Sequence, residues 1–385
     1  MGADTVCVHG GISEDKHTGA VSIPIYQSST YRQLEMGKNQ GYDYGRSGNP
    51  TREALEALIA DLEEGTDGFA FASGLAAITT VLMLFKSGDK IIMGQDIYGG
   101  TFRILTKIYN NFNINCIIVD TSDLSAIKEA LAKDKSIKSI IMESPANPLL
   151  KITDIKAVAE IAKANNVLTI VDNTFMSPYL QKPLNLGVDI VIHSATKYLG
   201  GHSDVIAGLV AVKNKDLAEK VKFYQNAAGT ILEPFDSWLL IRGIKTLSVR
   251  MDRHLQNAAF LADFLKNLTE VSKINYPGLK EFNGYEINKK QSKGAGAVIS
   301  FEFDDKAKIN LNEFFKNLHI IAFAESLGGV ESLICHPATM THASIPQEAR
   351  TKMGITNNLV RFSVGIETKE DLADDLMQAI KKARV

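Results

Sequence analysis

DIVIHSATKYLGGHSD, residues 189–204, decides how this chain is read. Its opening residues form an apolar run of strand type, which breaks at Ser194-Ala195-Thr196-Lys197 and, three residues later, at two adjacent glycines. A lysine one step past a buried strand either snorkels to water or stays partly desolvated. Desolvation lowers its pKa and makes the amine a better nucleophile. What the rest of the chain brings to Lys197 settles the choice.

Outward from that stretch, short apolar strands alternate with helical patterns. GFAFA precedes LAAITTVLMLF, KIIM precedes TFRILTKIYNNF, NCIIV precedes LSAIKEAL, and SIIME precedes the pattern Ile155–Ala164. With VLTIVD, DIVIHS and GLVAV they predict an α/β fold, a mostly parallel sheet with helices on both faces. Ligands of such sheets sit at the carboxyl ends of the strands. Four places are thereby singled out: Ala72-Ser73-Gly74, residues 143–147, Asp172-Asn173 and residues 194–197. Residues 1–47 lack periodicity and predict an extended arm. Asn49-Pro50 then offers a helix cap and a first-turn proline, with Leu55, Leu58, Ile59 and Leu62 on one face and Gly65 as the stop. Past residue 244 a long helix over 247–265, the strand GAVISFEF and an amphipathic end over 370–383 predict a smaller α+β domain. The expected organisation is an arm (1–47), a larger α/β domain (48–244) and a C-terminal α+β domain (245–385).

A formal charge of −2 on 385 residues gives no global electrostatic case for nucleic acid or an anionic membrane, so a small molecule is the expected partner. Cys7, Cys116 and Cys335 are odd in number, widely spaced and without a C-x-x-C pair, which points to neither disulfides nor a zinc knuckle. No apolar run reaches membrane-span length, and the start lacks a signal-peptide core. Met-Gly opens a myristoylation pattern, but Val6 stands where Ser or Thr is required. The expected location is the cytoplasm.

FASGLAAITTV sets a small-residue turn between strand and helix, where free amides and the helix dipole can cradle a phosphate, although a tight turn needs glycine for packing alone. Neither G-x-x-x-x-G-K-[ST] nor G-x-G-x-x-G occurs. TIVDNT ends a central strand on Asp172. A lone strand-end Asp reads as a cap or a structural ion pair, because a buried carboxylate needs a cation or strong donors. Lys197 on another strand end changes that reading. An aldehyde with a protonated ring nitrogen and a phosphate would engage Lys197, Asp172, and the hydroxyls of Ser194 and Thr196 together, and pyridoxal 5′-phosphate is that cofactor. The rival class is a metal-dependent hydrolase using His193, His202, Asp204, His336 and His342. Its spacing is poor: HPATMTH puts two histidines six apart, and no H-E-x-x-H occurs. No metal site is expected.

SATKYLGGHSD with VDNTF upstream, YDYGRSGNPTR near the start, ASGLAAI, YGGT, ESPANP and AESLGG occur in order across essentially the whole chain. In these motifs the chain resembles the γ-family of pyridoxal-phosphate enzymes of cysteine and methionine metabolism, most of all its cystathionine γ-lyases and γ-synthases. The resemblance implies the aspartate-aminotransferase-like fold, fold type I. It makes Lys197 the residue that bonds the cofactor and then shuttles protons. It sets Asp172 on the ring nitrogen, Tyr98 stacked on the ring and Asn147 beside the ring oxygen. Ser73, Gly74, Leu75, Ser194 and Thr196 hold the phosphate, completed by Tyr44 and Arg46 of a neighbouring chain. Arg361 clamps the substrate carboxylate, where a guanidinium fork suits bidentate recognition, with Asn147 and the backbone of Ser326 assisting. A homo-oligomer follows, a tetramer built from two such dimers.

Among reactions, Glu325 matches an acidic residue of γ-lyases and γ-synthases and could hold the distal ammonium of cystathionine. Gly100 stands where methionine γ-lyases carry Cys. Ser47 resembles γ-lyases, whereas Asp43 and GGVESLICHPATMTH resemble γ-synthases. The expectation is γ-elimination of cystathionine to cysteine, 2-oxobutanoate and ammonia. The alternative is γ-replacement by cysteine on an activated homoserine ester, followed by cystathionine β-lyase and methionine γ-lyase chemistry.

Overall fold

The computed structural model of the chain describes residues 1–11, 15, 17–341, 343 and 347–384. Seven strands, β1 (Asp67–Phe71), β2 (Lys90–Gly94), β3 (Asn115–Val119), β4 (Ile137–Glu143), β5 (Leu168–Asp172), β6 (Ile190–Ser194) and β7 (Gly208–Val212), form one sheet in the order β1-β7-β6-β5-β4-β2-β3. Only the pairings of β7 with β1 and β6 are antiparallel, so the sheet is mostly parallel as predicted. Both faces are covered, which is why the central strands carry near-continuous apolar runs. Ile170, Ile192 and Val210 pack on one face with Val81 of helix Gly74–Leu82 and Val221 of helix Lys215–Ala228. Val171, Val191 and Ala211 pack on the other with Ile127 of helix Leu124–Lys133 and Val158 of helix Ile155–Ala164.

Helix Pro50–Glu63 begins as its sequence requires: the Asn49 side chain accepts from the amides of Thr51 and Arg52, and Pro50 fills the first turn. Leu55, Leu58, Ile59 and Leu62 are all buried. Its stop differs from expectation. Glu64, at φ 58°, takes the left-handed position, and Gly65 is needed for proximity instead, since a Cβ there would lie 2.9 Å from both Leu184 Cδ1 and the Val212 carbonyl. TFRILTKIYNNF does not form one helix. An α-turn (Gly99–Arg103) widens into a π-helical turn (Ile104–Ile108) and tightens into a 3₁₀ turn (Tyr109–Phe112), which buries Ile104, Leu105 and Tyr109 together. The N-terminal segment is not wholly extended either, because Ala3–His9 is helical and buries Cys7.

Five further strands, β8 (Val271–Asn275), β9 (Val298–Phe303), β10 (Ala322–Phe323), β11 (Leu333–Cys335) and β12 (Leu359–Ser363), make a second sheet ordered β10-β11-β12-β9-β8. Phe301 and Phe362 of this sheet share one buried cluster with Leu261 of helix Leu247–Lys266, Leu376 of helix Lys369–Ala383, and Leu58 and Tyr198 from the part of the chain that builds the first sheet. That continuity brings β12 to the carboxyl edge of the first sheet. Among the described residues no helix is long and apolar enough to cross a membrane.

Candidate active site

A cavity of about 290 Å³ opens at the carboxyl ends of β4, β5 and β6. Ser73, Gly74, Leu75, Tyr98, Asn147, Asp172, Ser194, Thr196, Lys197, Glu325, Ser326 and Arg361 all line it, so the structure gathers every predicted site residue except Tyr44 and Arg46. Those two lie elsewhere on the chain. Arg46 donates to the Asn226 carbonyl at 2.6 Å and sits over the Tyr44 ring, 5.7 Å from its centroid.

At one end, helix Gly74–Leu82 points its first turn at the cavity. The Ser73 hydroxyl accepts from the Ala76 amide at 3.0 Å, and the amides of Gly74 and Leu75 have no intrahelical carbonyl to meet. A Cβ on Gly74 would lie 3.1 Å from Cβ and 3.2 Å from Oγ of Ser194. Glycine therefore lets the β6 hydroxyl close against a helix N-terminus, a cradle for an anion.

In the middle, Asp172 and Glu143 stand side by side in register on β5 and β4. Asp172 Oδ1 accepts from the Thr174 amide at 3.0 Å and hydroxyl at 2.5 Å, and Glu143 Oε1 accepts from the Tyr98 amide at 2.6 Å. Burial raises the Asp172 carboxyl, against the opposing pull of the Thr174 bonds and of His193. Burial and then the neighbouring Asp172 lift Glu143 well above the usual carboxylate range. Among the described residues neither carboxylate has an ion-pair partner. A buried anion in want of a cation is the counterpart of a protonated ring nitrogen.

Lys197 follows in the turn after β6. Its ammonium donates to the Ser326 hydroxyl at 2.6 Å, and burial, then Arg361, bring its pKa down to about 8, with Glu325 opposing. The two glycines beyond it have a physical reason. Gly201 sits at φ +73°, and a Cβ there would fall 2.2 Å from Nη1 of Arg250. That buried guanidinium donates to the carbonyls of Tyr198 and Gly243, both at 2.8 Å, and so anchors the segment after Lys197 from below.

At the far end Arg361, 3% exposed on β12, donates through Nη1 to Asn147 Oδ1 at 3.0 Å and through Nη2 to the Ser326 carbonyl at 2.9 Å. Ser326 holds φ 106°, a left-handed conformation unusual for a side chain, and thereby serves both Arg361 and Lys197. Sequence reading assigned Ser326 only a backbone part and gave Thr174 and Glu143 no role. No local signal marks a hydroxyl that meets a lysine 129 residues away.

The donor set fits pyridoxal phosphate: a primary amine with a lowered pKa, a half-buried carboxylate without an ion-pair partner among the described residues, an amide-and-hydroxyl cradle, and Tyr98 at the wall. The histidines once considered for a metal are otherwise engaged. His193 Nε2 meets Glu63 at 2.7 Å, His202 Nδ1 meets the Gly200 carbonyl at 2.8 Å, and His336 bridges Thr339 and the Asn357 carbonyl. His342 lies outside the described residues. Among the described residues no group of three or more His, Cys, Asp or Glu could hold a metal ion.

The raised Asp172 carboxyl carries a testable sign. A group whose folded-state pKa lies above its unfolded value gives stability below the unfolded value and loses it as pH rises through the folded one. Asp172→Asn is therefore expected to melt higher than the parent at pH 7, but not at pH 3, in the cofactor-free protein, while cofactor retention falls. Equal melting of the two at pH 7 would contradict the burial argument.

A family model described as Cys/Met metabolism PLP-dependent enzyme matches residues 4–381. The chain is 55% identical over 378 residues to a cystathionine beta-lyase of Lactococcus lactis subsp. cremoris, covering 98% of each. It is 52% identical over 381 residues to a cystathionine gamma-lyase of Bacillus subtilis, covering 99% of this chain and 100% of that one. Its fold is similar, at TM-score 0.96 and 53% identity, to the crystal structure of cystathionine gamma-lyase from Lactobacillus plantarum complexed with L-serine, covering 100% of this chain and 99% of that one.

Proposed function

Because the chain belongs to the Cys/Met metabolism PLP-dependent enzymes, a family of C–S lyases and γ-synthases, we propose that it is a cystathionine lyase cleaving on the γ side. The observation that carries the choice of substrate is the pair of opposite charges in one cavity, Arg361 at one wall and Glu325 at another; the γ side rests on the likeness to the cystathionine gamma-lyases. Arg361 takes the α-carboxylate of the substrate. Glu325 takes an ammonium at the distal end, so the cavity selects a long amino acid charged at both ends.

Pyridoxal phosphate, when bound, supplies an electron sink for the carbon next to the substrate's amino group. The chain's own residues do the rest. Ser194, Thr196 and the amides of Gly74 and Leu75 would hold the phosphate, Asp172 would keep the ring nitrogen protonated, and Tyr98 would cover the ring. Lys197 would remove the proton at Cα, hand it on to the cofactor side of the substrate nitrogen and, neutral again, remove the proton at Cβ. With its pKa brought to about 8, a useful fraction of the amine is neutral near pH 7. Ser326 holds that amine in line between proton transfers. Tyr44 and Arg46, which do not line the cavity of their own chain, serve that of a second copy, which makes the working unit a dimer; the family resemblance extends this to a tetramer of two dimers. We also propose the three-part organisation at residues 47 and 244, and a cytoplasmic setting.

The β-lyases among the relatives favour a second reading, and products decide between them. With L-cystathionine alone, 2-oxobutanoate and cysteine are expected; pyruvate and homocysteine would assign β-elimination, and no keto acid would leave γ-replacement. Glu325→Ala should raise KM for cystathionine by about 10- to 100-fold, the worth of one charge-assisted hydrogen bond, with little effect on homocysteine. An unchanged preference between the two would remove Glu325 from substrate recognition.

A further inference from the structure

Behind the cavity, on the opposite face of the sheet, lies a buried Glu–His contact to which the reaction gives no part. Side chains alternate along a strand, so Asp172 and Ser194 face the cavity while Asn173 and His193 face away from it. Glu63, in the last turn of helix Pro50–Glu63, meets them there. Its Oε1 lies 2.7 Å from His193 Nε2 and accepts from Asn173 Nδ2 at 3.1 Å. Gln181 extends the network, donating from Nε2 to Asn173 Oδ1 at 3.0 Å and to the Ser144 carbonyl at 2.9 Å. Glu63, Asn173, Gln181 and His193 are each 1% exposed or less. One carboxylate thus ties the residue after Asp172, the residue before Ser194 and, through Gln181, the residue after Glu143.

Stability does not account for this arrangement. A buried polar pair is commonly no better than apolar residues of the same volume, and among the described residues Glu63 Oε2 and His193 Nδ1 have no partner. What the network does supply is position: three strand ends that line the cavity are fixed to one helix by directional bonds. We propose that Glu63 and His193 are positioning residues, holding Asp172 and Ser194 in the geometry that grips the cofactor. The inference rests on the assignment of Asp172 and Ser194 to pyridoxal phosphate.

The test uses purified holoenzyme and two readouts besides activity: cofactor retained through equilibrium dialysis, and visible circular dichroism of the bound cofactor, which reports how its ring is held. The double variant Glu63→Met/His193→Leu replaces the pair by apolar side chains of similar volume, a change that buried pairs commonly tolerate. It is expected to melt near the parent, yet to retain cofactor about tenfold less tightly and lose much of the dichroic band, a loss of the size that displaced supporting residues cause at metal sites. His193→Gln, which still offers Glu63 an N–H, should keep both readouts near the parent. Parental retention and dichroism in the double variant would overturn the proposal and leave the pair structural. Should the double variant fail to fold, His193→Asn, too short to reach Glu63, is measured instead, with the same two outcomes. Asp172→Asn separates the two levels. If it too leaves both readouts unchanged, the cofactor assignment itself fails; if it alone changes them, only the positioning role fails.

Discussion

Lys197→Ala is expected to lower kcat/KM on cystathionine by at least about 10³-fold, because one amine both bonds the cofactor and moves the protons, and the proton-transfer part alone contributes about 10² to 10⁴. The visible band of the bound cofactor should shift as well, and the cofactor should leave on dialysis. Lys197→Arg should rescue neither, since a guanidinium stays protonated at any usable pH. The same variant reports on the folded state. The Lys197 pKa is lowered from 10.5 to about 8 by burial and Arg361, so between those values the unfolded chain binds more protons than the folded one. The Lys197 contribution to the stability of the cofactor-free protein then rises with pH across that window, by about 3 kcal/mol at most, while the thiols of Cys7, Cys116 and Cys335, which burial pushes up, contribute in the opposite sense. Lys197→Ala should flatten this rise. A stability difference between parent and Lys197→Ala that is level from pH 8 to 10.5, or a variant that keeps substantial turnover, would remove Lys197 from the centre of the site.

The elements that carry their own local signal were legible before any coordinates. The strands ending at Glu143, Asp172 and Ser194 showed as apolar runs, the cap at Asn49-Pro50 showed as residue types, and the strand-end rule then led to Asp172 and Lys197. What escaped was whatever depends on partners far apart in the chain. The Ser326 hydroxyl meets Lys197 across 129 residues and Glu63 meets His193 across 130, and neither serine nor glutamate announces such a partner in its neighbours. The glycines after Lys197 were read as room for the chain to turn past the site. The cause at Gly201 is Arg250, a buried side chain of helix Leu247–Lys266 whose guanidinium occupies the space of the missing Cβ, and at Gly200 it is Val205 and the Ala195 carbonyl. The helix expected over TFRILTKIYNNF is instead an α-turn, a π-turn and a 3₁₀ turn in series, and no local signal in the residues marks that change of winding.

Arg361→Ala is expected to reduce kcat/KM by about 30- to several thousand-fold, as loss of one partner of a buried charge pair costs about 2–5 kcal/mol. The loss should fall mainly on KM. The guanidinium is already held in place by Asn147 and the Ser326 carbonyl, so the substrate carboxylate meets a fork whose orientation is fixed before binding. Arg361→Lys tests the fork apart from the charge. A point-charge ammonium cannot bond Asn147, Ser326 and a carboxylate with the same planar geometry, so only part of the affinity should return. A second effect separates this role from general damage. Arg361 is one of the groups that lower the Lys197 pKa, so in the cofactor-free protein Arg361→Ala should raise that pKa and Arg361→Lys should leave it near the parent. Slow titration of the Lys197 amine with an amine-selective reagent across pH 7 to 10 reads this directly. If Arg361→Ala changes KM but not the reactivity profile, the clamp stands and its electrostatic hold on Lys197 does not. If KM is unchanged, the carboxylate of the substrate is bound elsewhere, and the charge separation between Arg361 and Glu325 no longer argues for a substrate ionised at both ends.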